Sequence, residues 1–127
     1  MAGLTSAARW AAIEGGTQLA LAATTGGSGN AVRITGKGAA HVLARHFPGG
    51  AKTAGKSLFN AVENVTDLAR GADGISPVVQ ANGNLRRVVT AGRDIGIDRA
   101  TSSPTNVYTV ITNKLNELVT MFPGISP

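Results

Sequence analysis

A chain of 127 residues without a cysteine fits one domain that holds its core without disulfides, which excludes a disulfide scaffold, a thiolate nucleophile and a sulfur-ligated zinc site. With 43% hydrophobic, 15% charged and only 4% aromatic residues, the core must be built from Ala, Val, Leu and Ile; a disordered chain is excluded, and stacking platforms for a general single-strand binder are scarce. The net charge of +5 gives attraction to polyanions and acidic partners without choosing between them.

Residues 1–30, MAGLTSAARWAAIEGGTQLALAATTGGSGN, form an Ala-rich lead-in and a Gly/Ser linker. Ser6 is placed to cap a short helix that Gly15-Gly16 ends, and Thr17 to start a second through Ala23. The apolar run Leu19 to Ala23 is too short to span a bilayer, and Arg9 followed by Gly15-Gly16 does not make a secretory signal, so neither a membrane span nor a cleaved signal is expected. From Ala31 the texture changes: AVRIT reads as a short strand, GKG as a turn, and Ala39 to Phe47 as a helix stopped by Pro48-Gly49-Gly50. A second helix is expected from Ala54 to Arg70, on the spacing of Leu58, Val62, Val65 and Leu68, with Gly71 as its stop.

After Gly74 the pattern turns to strands. PVVQA and LRRVVTA flank Asn82-Gly83-Asn84, a strong hairpin signal. IGID follows, and NVYTVIT and ELVTMF, joined by residues 113–116, make a second hairpin. Helices first and strands last is the α+β pattern: N-terminal helices packed on a four- or five-stranded antiparallel sheet, with residues 31–127 as the functional domain.

The chemistry concentrates between Gly15 and Val62, which contain no carboxylate but carry Arg33, Lys37, Arg45, Lys52, Lys56 and both histidines, His41 and His46, within the string HVLARH. Solvated faces usually mix signs, so this stretch reads as a site for phosphate. Gly50 to Ser57 also satisfies the phosphate-loop pattern GxxxxGK[ST]. Its context is wrong, because no buried strand precedes it and hairpins rather than a parallel sheet follow.

Imidazole is the natural acid and base near neutral pH, and metal-free RNA cleavage needs a base, an acid and cations for the charged phosphorane. On a helix His41 and Arg45 lie ~40° apart, while His46 is ~140° from His41, so the two imidazoles do not form a symmetric pair. A structural role competes at each position: His46 as a core-edge histidine bonded to backbone, His41 as an exposed helix residue. Zinc has too few local ligands. Tyr108, Thr109, Thr112 and Thr120 bring hydroxyls to the last strands, where Thr also serves as an ordinary strand former. Arg86, Arg87, Arg93 and Arg99 add positive charge on the sheet side or serve as solubilising surface residues.

HVLARH, the Ser57-Leu58-Phe59 helix start, two apolar strands and the closing VYTVITNKLNELVTMFPG resemble the C-terminal nuclease domains of bacterial polymorphic toxins, including contact-dependent growth inhibition toxins, of the barnase/EndoU/colicin/RelE type. The resemblance covers residues 31–127. It implies a metal-independent endoribonuclease, without cofactor, that cleaves RNA by 2′-hydroxyl attack and often acts on tRNA. It further implies delivery as part of a larger secreted or cell-surface protein, action in the target-cell cytoplasm and neutralisation by a cognate immunity protein, whose contact face the +5 charge predicts to be acidic.

Carried onto this sequence, the resemblance assigns catalysis to His41, His46, Arg45, Lys56 and Thr120. RNA contacts fall to Arg33, Lys37, Lys52, Ser57, Arg99, Tyr108 and Thr109. A pancreatic-ribonuclease-like toxin is the near alternative, from which Phe122 departs by standing where that family shows Tyr. A non-catalytic basic module for nucleic acid or an acidic protein is the alternative of another class.

Overall fold

Thr35 ends an extended segment and caps the first helix: its Oγ1 accepts the Gly38 N–H at 3.1 Å while its backbone stays extended. The computed structural model describes residues 31–125, and the helices expected from Ser6 and Thr17, with the linker after them, lie outside the described residues. From Thr35 the chain runs α1 (Gly36–His46), β1 (Leu58–Phe59), α2 (Val65–Arg70), β2 (Val78–Val79), β3 (Leu85–Thr90), β4 (Gly96–Asp98), β5 (Ser103–Thr105), β6 (Val107–Thr112) and β7 (Leu118–Pro123). The fold is α+β, as expected. Among the described residues no helix is long and apolar enough to cross a membrane.

α1 begins three residues before the expected Ala39, because a good cap outweighs the low helix propensity of Gly36 and Gly38. Gly38 has a packing reason: a Cβ there would run into the Leu118 carbonyl. That close approach lays α1 against β7. Of AVRIT, only Arg33 pairs, through a parallel bridge to Glu117, with its N–H on Asn116 O at 2.7 Å and its carbonyl accepting from Leu118 N at 2.8 Å.

The helix expected over Ala54 to Arg70 is corrected to α2 alone. Gly55 takes φ +72°, Leu58 and Phe59 pair with Ile97 and Gly96 of β4, and Val62 is 79% exposed, so the apolar spacing never forms one helical face. Ser57-Leu58-Phe59 is therefore the entry to a strand and not a helix start. The true start is Asn64, whose Oδ1 accepts from Thr66 N at 2.8 Å and Asp67 N at 3.2 Å. Gly71 is the stop, its N–H shared between the Asp67 and Leu68 carbonyls.

Both expected hairpins form, and they build a four-stranded antiparallel sheet in the order β2-β3-β6-β7. Gly83 takes the positive φ that the first turn requires, and Asn116 takes it in the second. A three-stranded sheet, β1-β4-β5, is a feature the sequence reading lacked. Its edge strand β5 contains Pro104, which the outer position of a sheet tolerates.

Register puts Arg87, Val89, Tyr108, Val110 and Met121 on one face, packed into the core with Val42 of α1 and Leu68 of α2. Thr109, Ile111, Thr120 and Phe122 take the other face. Arg87 is 1% exposed, which corrects any reading of it as a surface charge. Its guanidinium donates to Ile75 O at 2.9 Å, Thr112 Oγ1 at 3.2 Å and Asn116 Oδ1 at 3.0 Å, tying the sheet to the β6–β7 turn.

Candidate active site

Where α1 meets that turn there is a groove of about 330 Å³. Thr35, Lys37 and His41 line it from the helix side, Asn113 and Glu117 from the turn, and Gly38, Leu118 and Val119 where helix and strand touch. Two local choices create it: Gly38 lets the backbones close up, and the Arg33–Glu117 bridge draws the start of β7 to the entrance of α1.

Asn113 shapes the turn wall. Its Oδ1 accepts from Leu115 N at 2.9 Å and Glu117 N at 3.0 Å, and its Nδ2 donates to Glu117 Oε1 at 2.8 Å. The Glu117 side chain is thus tied to the turn that lines the groove. Sequence reasoning missed it, because Glu117 sits 76 positions from His41 and reads there as an ordinary hairpin residue. The available signal was the helical angle between the histidines, which requires a partner from elsewhere in the chain.

His41 is half-buried, and its pKa lies below the usual 6.5, through burial first and then repulsion from Arg45, Lys56 and Lys52. Those three cations are near enough to act on its ring. The loop after α1 brings the lysines there: Lys52 N–H donates to Ala44 O at 2.8 Å and Gly50 N–H to Phe47 O at 3.1 Å, folding the loop back along the helix. Among the described residues the ion pair is Arg93–Glu63, and no carboxylate pairs with Lys37, Arg45, Lys52 or Lys56.

His46 has a different environment. It is 2% exposed, its Nδ1–H donates to Ser57 O at 2.9 Å, and its ring packs on Phe122 with centroids 5.7 Å apart. A carbonyl can only accept, so the neutral ring carries its proton on Nδ1. Burial lowers the pKa of His46, the bond to Ser57 opposes that shift, and His41, Lys56 and Arg45 add to it.

The loop 50–57 follows a helix and precedes strand β1, the reverse of the strand–loop–helix order that a phosphate loop needs. Ser57 is fully buried, with its Oγ accepting from Arg99 N at 2.8 Å, so it presents no hydroxyl to a nucleotide-bound metal or to RNA. Tyr108 and Thr109 are corrected in the same way. The Tyr108 hydroxyl donates to Leu68 O at 2.8 Å, and its burial pushes its pKa up to about 12; Thr109 is completely buried and donates to Gly124 O at 2.8 Å. All three hydroxyls serve the fold.

Arg33, Lys37, Lys52 and Arg99 are exposed and remain free to meet a ligand, with Lys37 alone among them in the groove. The Thr120 Oγ1 is buried and has no partner among the described residues. Among the described residues no three His, Cys, Asp or Glu side chains converge as a metal site. No family model matches the chain, and no curated protein or solved structure matches it.

Proposed function

We propose that this domain is a metal-independent endoribonuclease that cleaves RNA by attack of the ribose 2′-hydroxyl, acting as the toxin part of a larger secreted or cell-surface protein. The observation that carries it is His41 in a groove whose other wall carries Glu117, with Arg45, Lys52 and Lys56 unpaired and near enough to depress its pKa.

His41 is neutral at neutral pH in the free protein and takes the 2′-hydroxyl proton. The 2′-oxygen then bonds to phosphorus, the bond to the 5′-oxygen breaks, and that oxygen leaves with a proton drawn from water, giving a cyclic 2′,3′-phosphate and a 5′-hydroxyl. Arg45, Lys52 and Lys56 offset the charge of the phosphorane. His46 acts from beneath, holding the lysine-bearing loop through Ser57. A tRNA substrate, action in the target-cell cytoplasm and an acidic immunity protein belong to the same proposal and rest on the sequence resemblance and the +5 charge.

Incubation with total RNA in EDTA tests the reading. Discrete fragments ending in cyclic phosphate are expected, and His41→Ala abolishes them. Tight binding of intact RNA with no fragments under any condition would replace the enzyme with a non-catalytic basic module.

A further inference from the structure

Lys37, His41 and Arg45 stand four residues apart on α1. Four residues climb about 6 Å with a drift of about 40°, so the three side chains form a line along one side of the helix. The backbone of one nucleotide spans a similar distance from phosphate to phosphate. Lys37 and His41 lie in the groove, whose volume of about 330 Å³ suits one nucleotide and is too small for a base pair with both backbones. Beside the last turn of α1 the loop folds back, Lys52 N–H on Ala44 O, and brings Lys52 and Lys56 near enough to act on His41. The acid on this line is Glu117, which faces it across the groove and is tied to Asn113.

We infer that Lys37, His41 and Arg45, with Lys52 and Lys56 of the loop beside them, hold three consecutive phosphates of one unpaired RNA strand, with the middle phosphate at His41 and its nucleotide in the groove. The middle subsite rests on the ribonuclease reading; the phosphate track itself does not require cleavage. With so few aromatics in the chain, this strand is held by its backbone and not by stacked bases.

The test measures fluorescence anisotropy of the 127-residue chain with end-labelled 2′-O-methyl oligouridylates of two, three and four nucleotides, which cannot be cut. Affinity should rise with each added phosphate, and the log–log salt slope for the tetranucleotide should be about −2, at roughly −0.7 per phosphate. Lys37→Ala and Arg45→Gln should each make that slope shallower by about 0.7. Lys37 is exposed and Arg45 partly so, and circular dichroism checks that both variants fold.

Unchanged slopes in both variants would overturn the track. So would equal affinity for a duplex of the same length or for a glutamate-rich peptide. Failure of RNA cleavage with the slopes as stated would remove the ribonuclease reading and leave the track standing.

Discussion

Arg87 and the cations around His41 carry the same charge in two regions that treat it in opposite ways. Arg87 is buried and satisfied: three acceptors converge on its guanidinium, and Asp73 lies close enough to oppose the lowering of its pKa by burial. Arg45, Lys52 and Lys56 all act to depress the pKa of one imidazole, with no carboxylate paired to any of them. A buried cation without partners would be expelled or neutralised, so the first arrangement is what stability demands. The second works against stability through like-charge repulsion, and it gains from an anion that arrives from outside.

The two histidines repeat that contrast within α1, His41 at its middle and His46 at its end. His46 is enclosed and bonded; His41 borders a groove. The largest expected effect follows from this difference: His41→Ala should lower RNA cleavage by about 10²- to 10⁴-fold while the melting temperature barely moves. A drop in activity matched by a drop in melting temperature would erase the distinction between the two positions.

Arg87→Ala should do the reverse. It leaves the buried Thr112 Oγ1 without its guanidinium partner and removes the bonds to Ile75 O and Asn116 Oδ1, at a cost of about 3 kcal/mol read from urea unfolding. Because Asn116 adjoins Glu117 at the groove, some loss of cleavage should accompany it. Arg87→Lys should not rescue stability, since one ammonium cannot reproduce the planar fork.

His46→Gln should lie between these, at about 1–2 kcal/mol, from the lost Ser57 bond and the ring contact with Phe122. Its signature is in the pH dependence. The folded pKa of His46 lies below its unfolded value near 6.5, so between those two values the unfolded chain binds more protons. Stability is therefore held above pH 6.5 and falls as the pH drops through that value toward the folded pKa. Urea unfolding at a series of pH values should show a shallower fall in His46→Gln than in the parent; parallel curves would mean that His46 is not held neutral.

Much of this contrast was legible from the sequence, and the reasons differ by element. The first hairpin follows from Asn82-Gly83 between two apolar runs and the second from two apolar runs joined by residues 113–116, which are local signals. The angle between the histidines follows from helix geometry alone. The Ala54–Arg70 helix failed because Leu58, Val62, Val65 and Leu68 mimic helical spacing, while a non-local pairing with β4 claims Leu58 and Phe59. The burial of Arg87, Tyr108 and Thr109 was invisible for the same reason: their partners lie between 12 and 40 residues away. Glu117 is drawn to the entrance of α1 by the bridge to Arg33, a contact that no periodicity encodes.

Thr120 sharpens the boundary between the two regions. Its buried hydroxyl has no partner among the described residues, so Thr120→Val removes an orphan group at nearly constant volume. Stability should hold or rise by up to about 1 kcal/mol. Cleavage that falls while the melting temperature holds would mean that this hydroxyl is uncovered when substrate binds, as the catalytic role implied by the sequence resemblance requires.

The smallest effect tests the crowding itself. Lys52 is one of the three cations that depress the pKa of His41, and the last of them in strength. Lys52→Gln should let that pKa rise toward 6.5, so the acid limb of the cleavage profile moves to higher pH. The same change removes one repulsive partner and should add a few tenths of a kcal/mol to stability. A cation whose removal stabilises the protein, weakens RNA binding and shifts the pH profile upward is held there for its ligand. If Lys52→Gln instead destabilises the fold and leaves the profile in place, the lysine belongs with Arg87 on the structural side of the comparison.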